Sequence, residues 1–330
     1  MPAGSDLLAS VVIPVRDAVE YLDEALTSIR GQSASEIEII VVDDGSTDGS
    51  GAIAERHAAE DDRVRVVRQT AAGASGARNR GISEARASWI ALMDADDVAL
   101  PRRLERQLAF LAKKPGIAAL GTYGWRMGER GETLGVFDVG PRDEGHLARL
   151  RAANEPIYLL SSSVMVDAGV VRQIGGFRDL APAEDVDLWT RIADDHLVLA
   201  MPERLVRYRV RSGSMSGRHF VLQQQMTVLV AENAARRRSG LPEVTLADVI
   251  QRLDHEPALA RAKRILSWHS QYCYRVAGGR LANRDPSGVP WLAAAFILSP
   301  GVPIGRLRRQ LLPWFGSRLR GARATAPDQT

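Results

Sequence analysis

The sequence contains a single cysteine, Cys273, and no segment with the character of an export signal or a membrane span. One cysteine excludes an intramolecular disulfide and any metal site built from several cysteines. The first residues lack a basic stretch followed by an apolar one, so no signal peptide is predicted. The longest apolar run near the C-terminus, residues 289–301, is interrupted by Pro290 and Pro300. It is shorter than the ~20 residues that a spanning helix needs. We therefore expect a cytoplasmic protein.

The composition is that of an ordinary globular protein without a strong charge of one sign. The 330 residues are 45% hydrophobic and 25% charged, and the formal net charge is +3. This length predicts one large domain with an appendage, or two domains. The small net charge gives no reason to expect nucleic acid as a partner. The histidines show no metal-binding pair at helical spacing.

An apolar run at residues 89–93 ends abruptly in Asp94, Ala95, Asp96 and Asp97. A continuous apolar run predicts a buried strand of a parallel sheet, and open α/β sheets bind ligands at the carboxyl ends of such strands. Asp94 and Asp96 can converge on a hard cation such as Mg²⁺ or Mn²⁺, which keeps positions for water and phosphates. An acidic turn that merely stays in solvent is the alternative interpretation of this motif.

Strand patterns alternate with helix patterns along the first hundred residues. The predicted strands cover residues 8–14, 36–42, 63–67 and 88–93. Alternation at this spacing predicts right-handed crossovers and a parallel sheet. Asp43 and Asp44 directly follow the second strand, so we expect them at the same sheet edge as Asp96. A turn followed by a helix start also explains this pair, although two adjacent carboxylates are more than a turn requires.

Two further residues near the strand ends have both a functional and a local explanation. Asp17 occupies the N-cap position of the first predicted helix, with Glu20 at the capping-box position. Arg78 lies in a third helix, predicted over residues 76–86, where donors and the helix dipole favour anions such as phosphates. A solvated helix start explains Arg78 nearly as well.

Together these motifs resemble those of the family 2 glycosyltransferases with the GT-A fold. The similar segments follow family order between Ser10 and Ser216, at residues 12–17, 41–48, 76–81, 92–97, 161–166, 175–177 and 184–189. The resemblance implies an α/β fold with a mostly parallel, Rossmann-like sheet flanked by helices. It implies inverting transfer of a sugar from a nucleotide diphosphate donor, UDP-sugar by family frequency, with Mn²⁺ or Mg²⁺. The implied acceptor is a hydroxyl of a glycan or lipid-linked sugar in cell-surface polysaccharide biosynthesis.

Carried over position by position, the resemblance assigns roles to individual residues. Asp96 would hold the metal. Asp185 would be the catalytic base, with Glu184 as the second choice, whereas the residues alone also allow both to cap a helix at its positive end. Asp187, on the same helical turn, is expected in solvent. The implied donor-binding residues, with Asp43 and Asp44 at the base and ribose, are Pro14, Val15, Asp17, Asp43, Asp44, Asp94 and Ala95, to which we add Arg78.

Two positions depart from the family pattern. The common Pro-x-Tyr-Asn opening reads Pro14-Val-Arg-Asp17 here, which alters the expected contacts to the base. Arg211 stands where relatives often have a histidine, and an arginine cannot ligate a cation but can grip a phosphate with two hydrogen bonds. We place Arg211 and Trp189 on the acceptor side of the cleft. Trp189 can pack its ring face against an acceptor sugar, or it can lie in the core.

The patterns become helical after residue 216, which predicts a catalytic domain over residues 1–216 and a helical extension over residues 217–330. Helices are expected at residues 220–238, 247–253 and 257–278. Residues 301–323 interleave arginines with Leu, Trp314 and Phe315 and contain no acid. This pattern is typical of a helix on an anionic membrane surface, and a basic helix docked on the core is the alternative.

Two other functions fit parts of the sequence. A haloacid-dehalogenase-like phosphohydrolase would use Asp94 as nucleophile and Asp96 as acid, but it leaves Asp43 and Asp44 without a role. A non-catalytic scaffold would retain nucleotide binding without transfer. The sequence has no Gln-x-x-Arg-Trp segment, which argues against a processive polysaccharide synthase.

Overall fold

The computed structural model describes residues 7–210, 220–282 and 285–305. The chain forms two compact units, residues 1–249 and 250–330. The domain boundary that we predict at residues 216 and 217 lies outside the described residues, as do Arg211 and residues 306–323 of the basic segment. The first unit is built on one nine-stranded sheet.

Four parallel strands and three helices form the first part of this sheet. In chain order they are β1 (Ala9–Val15), α1 (Leu22–Arg30), β2 (Ile37–Asp43), α2 (Ser50–Glu60), β3 (Val64–Arg68), α3 (Gly73–Glu84) and β4 (Trp89–Leu92). The strands lie in the order β3-β2-β1-β4, and every neighbouring pair is parallel. β1 and β2 are buried almost throughout because helices cover both faces of the sheet. The predicted parallel arrangement is confirmed.

The second part of the sheet mixes parallel and antiparallel pairs. Its elements are β5 (Val98–Ala99), α4 (Arg103–Lys113), β6 (Ile117–Met127), β7 (Thr133–Phe137), α5 (Glu144–Ala152), β8 (Met165–Asp167), α6 (Ala168–Gln173), α7 (Glu184–Asp195), β9 (Leu197–Arg209) and α8 (Phe220–Arg238). The order continues β4-β8-β6-β9-β5, with β7 on β6. β8 runs antiparallel to β4 and β6, whereas β6 and β9 are parallel. The sheet is therefore parallel on one side and mixed on the other.

The core consists of one apolar layer on each face of the sheet. Successive strand residues point to opposite faces, so Val11 and Ile13 belong to one layer and Val12 to the other. The second layer brings β1 against α3 at Gly81, where a Cβ atom would lie 2.2 Å from Cγ1 of Val12. Only glycine permits this approach, which sets α3 and its Arg78 directly over the strands.

The second unit is helical. α9 (Leu246–Asp254) crosses the boundary between the units, and α10 (Ala258–Ala282) and α11 (Gly288–Leu298) follow it. α10 and α11 form an antiparallel pair in which Ser270 Oγ donates to the carbonyl of Ala295 at 2.7 Å. The predicted helix over residues 220–238 is confirmed as α8. None of the helices in the described part of the chain combines the length and the apolar character that crossing a bilayer requires.

Candidate functional site

The acidic residues after β2 and β4 meet at one edge of the sheet. β1, β2 and β4 are parallel, and the register pairs Val15 with Asp43 and Val12 with Leu92. Asp43 ends β2, and the turn that carries Asp94 and Asp96 follows β4 directly. The convergence that the topology predicts is therefore confirmed at the level of the strand ends.

Asp44 accepts hydrogen bonds from the main chain of the segment that leads into α3. Its buried carboxylate accepts hydrogen bonds from the main-chain nitrogens of Ala72 at 2.7 Å and Gly73 at 2.9 Å. It also accepts a bond of 2.7 Å from Gln69 Nε2. Asp43 accepts a bond of 2.9 Å from the main-chain nitrogen of Ser46. These hydrogen bonds fix the conformation of the loops at the sheet edge. Contact of Asp43 or Asp44 with a nucleotide-sugar donor stays a prediction.

Asp17 does not cap the first helix, so the N-cap interpretation is wrong. α1 begins at Leu22, and Asp17 adopts a φ of 47° in the preceding loop. Its Oδ1 accepts a bond of 2.8 Å from the main-chain nitrogen of Thr47. Ser46 Oγ in turn accepts a bond of 3.2 Å from the Asp17 nitrogen. Asp17 therefore joins the loop after β1 to the loop after β2 at the sheet edge.

Arg78 connects the two acidic groups of the site. Its Nη2 donates to Oδ1 of Asp94 at 3.0 Å, and its Nη1 donates to Oε1 of Glu184 at 3.0 Å. The guanidinium carbon lies 5.4 Å from the centre of the Phe177 ring. Burial opposes the charge of Arg78, but the Asp94 and Glu184 carboxylates raise its pKa above the usual value. Arg78 thus stays charged and spans the cleft from β4 to α7.

Two adjacent serines connect the same groups from the other side. Ser161 and Ser162 lie in a short 3₁₀ turn before β8, which is antiparallel to β4 and so brings the turn beside Asp94. Ser162 Oγ donates to Oδ2 of Asp94 at 2.9 Å. Ser161 Oγ donates to Oδ2 of Asp185 at 2.6 Å. Asp94 and Asp185 are therefore held by neighbouring side chains of one turn.

Asp185 lies beside a second acid, Glu184, at the start of α7. It lies half-buried in the first turn of α7. Burial, and next the charge of Glu184, raise the pKa of Asp185, whereas the Ser161 hydrogen bond and the charge of Arg78 oppose the rise. A carboxylate whose pKa is raised toward the working pH accepts a proton more readily than an exposed aspartate.

The turn that carries Asp96 is fixed by Arg209, the last residue of β9. Arg209 Nε donates to the main-chain oxygen of Asp96 at 2.7 Å, and its main-chain nitrogen donates to Oδ1 of Asp97 at 2.7 Å. Its Nη2 donates to Oε2 of Glu24 at 2.5 Å. Asp97 is buried, and among the described residues no group donates to its Oδ2. Burial, with the charges of Asp96 and Asp94, raises the pKa of Asp97 well above its usual range.

The carboxylate oxygens at the carboxyl ends of β2 and β4 are of the kind that bind a hard divalent cation together with a phosphate. Both oxygens of Asp94 accept hydrogen bonds from Arg78 and Ser162. Asp96 is half-buried in the turn after β4. Within the described ranges, no three His, Cys, Asp or Glu side chains are grouped closely enough to hold an ion by themselves. Mg²⁺ is commonly held by one or two carboxylates together with substrate phosphates. A single Asp96 carboxylate is compatible with such a site, and its role as a metal ligand stays a prediction.

Some sequence predictions are corrected here. Trp189 is fully buried in the layer beneath α3 and packs edge-on against Phe177 at 6.0 Å, so its acceptor-side role is wrong and the core alternative is right. Asp187, expected in solvent, is buried and accepts a bond of 2.8 Å from Arg191 Nε. Pro14 is the second-last residue of β1, and Ala95 lies in the turn after β4 between Asp94 and Asp96. Contacts of Pro14 and Ala95 with the sugar donor stay predictions.

The sequence interpretation missed the roles of Ser161, Ser162 and Arg209. The serines stand before an apolar strand, a position that also suits an ordinary turn. Arg209 belongs to a basic stretch, residues 204–211, in which nothing in the pattern distinguishes a buried arginine from an exposed one. Only the pairing of β9 with β5 and β6 brings Arg209 against the Asp96 turn.

Comparison with known sequences identifies clear relatives. The sequence profile described as "Glycosyl transferase family 2" matches residues 10–155. EpsE of Bacillus subtilis, named as a glycosyltransferase, is 31% identical over 247 residues, which cover 71% of this chain and 83% of EpsE. TuaG of the same organism, named for teichuronic acid biosynthesis, is 28% identical over 251 residues, which cover 70% of this chain and 97% of TuaG.

Solved structures share the fold. S. aureus TarS 1-349 in complex with UDP-GlcNAc superposes with a TM-score of 0.55 at 16% identity, covering 91% of this chain and 92% of TarS 1-349. The mannosyltransferase PcManGT from Pyrobaculum calidifontis, in complex with GDP-Man and Mn²⁺, superposes with a TM-score of 0.54 at 17% identity and covers 90% of each chain. At these identities the likeness concerns the fold, which is the GT-A fold implied by the sequence motifs.

Proposed function

Because this chain belongs to the family 2 glycosyltransferases, we propose that it transfers a sugar from a nucleotide diphosphate donor to a hydroxyl acceptor with inversion at the anomeric carbon. The observation that carries the proposal is the double connection between Asp94 and the first turn of α7. Arg78 joins Asp94 to Glu184, and the Ser161–Ser162 turn joins Asp94 to Asp185. A donor-side carboxylate and a candidate base thus belong to one hydrogen-bonded site.

On the donor side, Asp43 and Asp44 would contact the nucleoside, and Asp96 would hold Mn²⁺ or Mg²⁺ on the diphosphate. Such a cation, when bound, neutralises charge that develops on the departing diphosphate. The structure of PcManGT with GDP-Man and Mn²⁺ supports a divalent cation, and the TarS complex with UDP-GlcNAc supports a UDP-sugar donor. Arg209 would keep the Asp96 turn in place while the donor binds.

On the acceptor side, Asp185 would accept the proton of the attacking hydroxyl. The hydroxyl oxygen forms a bond to the anomeric carbon from the face opposite the diphosphate, and the bond from that carbon to the phosphate oxygen breaks. The proton moves to the Asp185 carboxylate and the electron pair leaves with the nucleoside diphosphate. A positioned base contributes about 10²–10⁴-fold to such a step.

The acceptor class follows from the relatives rather than from the cleft. TuaG is named for the synthesis of teichuronic acid, and we propose a glycan hydroxyl in polysaccharide biosynthesis as the acceptor. The phosphohydrolase alternative is set aside, because family membership and the three strand units before β4 identify a glycosyltransferase. The same membership sets aside the non-catalytic scaffold.

One experiment tests the proposal without a known acceptor. Calorimetry with UDP- and GDP-sugars, each with Mn²⁺ and with EDTA, identifies the donor that binds. Slow hydrolysis of that donor, with water as the acceptor, is then followed by proton NMR. We expect an α-linked donor to release the β-anomer first. Release of the α-anomer first would contradict inversion, and turnover of a simple phosphomonoester would favour a phosphohydrolase.

A further inference from the structure

Among the described residues of the second unit, α11 is an apolar helix that other residues cover on one face. α11 contains only Gly, Pro, Trp, Phe and aliphatic side chains. On its inner face Ala295 is fully buried against α10, and Trp291 packs edge-on against Tyr272 at a centroid distance of 6.0 Å. Such a helix, apolar all round, is normally buried in a core or in contact with lipid.

The opposite face of α11 is exposed. Val289 is 57% exposed and Ile297 is 82% exposed. Ala293 lies between them at helical spacing and is also exposed. Residues 289, 293 and 297 therefore form one apolar stripe along the helix, called here the α11 stripe. Scattered exposed apolar residues are ordinary, but a row of them is typical of a binding surface.

The charge of the surrounding sequence indicates what binds there. Residues 286–327 contain no Asp or Glu and contain six arginines, all between residues 306 and 323. Pairing with a second copy of this chain would only add the same positive charge again. An anionic lipid surface has the opposite charge, and an apolar helix followed in sequence by arginines is typical of segments that bind the negative head groups of a bilayer.

We propose that the α11 stripe inserts into the surface of an anionic bilayer and that the arginines after it supply electrostatic attraction. The helix would lie in the plane of the interface, with Val289, Ala293 and Ile297 among the acyl chains. The proposal does not depend on sugar transfer, so its failure and the failure of the proposed function are distinguishable. It assigns to the second unit the task of keeping the enzyme at a membrane surface.

The test is flotation of the full-length chain with vesicles of phosphatidylcholine, alone or mixed with phosphatidylglycerol. We expect binding to the mixed vesicles, loss of that binding at high salt, and weak binding to the neutral ones. Ile297→Asp should bind the mixed vesicles at least ~10-fold more weakly, because an acid then replaces an inserted apolar side chain. Circular dichroism checks that the variant is folded, as expected for a side chain in solvent.

Leu259→Asp is the matched control, because Leu259 is 69% exposed on α10 and lies outside the α11 stripe. We expect this variant to bind like the unmodified chain. The proposal is overturned if the unmodified chain does not float with the mixed vesicles, or if both variants bind equally well. It is also overturned if Ile297→Asp only converts a dimer into a monomer, because the stripe would then be a contact between two copies.

Discussion

Arg209 Nε donates a hydrogen bond of 2.7 Å to the main-chain oxygen of Asp96, the residue at which we place the metal. Arg209 is buried, and its Nη1 also donates to the main-chain oxygens of Gly128 and Glu129 at 3.2 and 3.0 Å. One side chain thus connects the turn after β4 with the loop between β6 and β7. Since Arg209 contacts the backbone of Asp96, it can set where the Asp96 carboxylate lies without touching a substrate.

Arg209→Met should weaken metal-dependent donor binding and lower the free energy of unfolding by about 2–4 kcal/mol, because several buried carbonyl oxygens lose their donor. Arg209→Lys should recover part of the stability but not the donor binding, since an ammonium lacks the planar fork. Urea denaturation and calorimetry with Mn²⁺ and a nucleotide measure the two effects. Arg106→Met, which breaks an exposed pair with Glu203, is the control and should change little. If Arg209→Met and the control Arg106→Met weakened donor binding equally, Arg209 would have no specific role in positioning the Asp96 turn.

The parallel half of the sheet was predictable because its signals are local. β1 and β2 are apolar apart from Ser10 and Glu38 and the terminal Asp43, and Asp94 comes in the turn that follows β4. A parallel sheet brings such residues together whatever the rest of the chain does. The family motifs added the assignments of Asp96 and Asp185, which periodicity alone leaves open between catalysis and capping.

The contacts between distant segments were not predictable from local pattern. Arg78 reaches Glu184 across 106 positions of sequence, and Arg209 reaches Asp97 across 112. Asp187 looks like a solvent-facing residue of α7, yet the fold buries it beside Arg191. A buried charge is indistinguishable from an exposed one in sequence, because its partner is supplied by tertiary structure. The core position of Trp189 was not predictable for the same reason, since aromatic side chains occur both in cores and in sugar-binding sites.

Asp96→Asn should abolish the dependence of nucleotide binding on Mn²⁺, because the neutral amide is a weaker ligand for a hard cation. Calorimetric titration of UDP with Mn²⁺ and with EDTA measures the difference. Asp62→Asn is the matched control, because Asp62 is exposed just before β3, at the opposite end of the parallel strands. Unchanged metal dependence in Asp96→Asn would remove this residue from the metal site.

Asp185→Asn should reduce transfer by about 10²–10⁴-fold and leave donor binding intact, because the base is lost while the donor-side residues remain. Calorimetry and a turnover assay with the identified donor separate the two quantities. An equal loss of binding and of turnover would assign Asp185 to the donor site. Ser83→Ala is a control for loss of a polar group, because the Ser83 hydroxyl is exposed and donates to the nearby carbonyl of Arg80.

The pH dependence of turnover offers a sharper test of the same base. Asp185 works as a base only when ionised, so kcat/KM should fall as the pH drops through its pKa, which burial and Glu184 raise. Glu184→Gln removes the like charge that raises the pKa of Asp185, whereas the opposing charge of Arg78 remains. The acid limb of the kcat/KM profile should therefore move to lower pH. Ser161→Ala removes a hydrogen bond that favours the ionised form, so the limb should move to higher pH. Shifts in the same direction would contradict Asp185 as the titrating group.

Removal of Arg78 should destabilise the fold. In Arg78→Met the carboxylates of Asp94 and Glu184 lose the cation that both contact at 3.0 Å. Leaving buried charges without a partner costs about 3–5 kcal/mol. We expect the free energy of unfolding to fall by about this amount relative to the unmodified protein.

Urea denaturation of both proteins measures the difference in the free energy of unfolding. The double variant Arg78→Met/Glu184→Gln has one unpaired carboxylate fewer, so it should regain part of the lost stability. If the double variant is no more stable than Arg78→Met, Arg78 contributes through packing on Phe177 alone. In that case the bridge between Asp94 and α7 would not organise the charges of the site, and Arg78 could not couple donor binding to the candidate base.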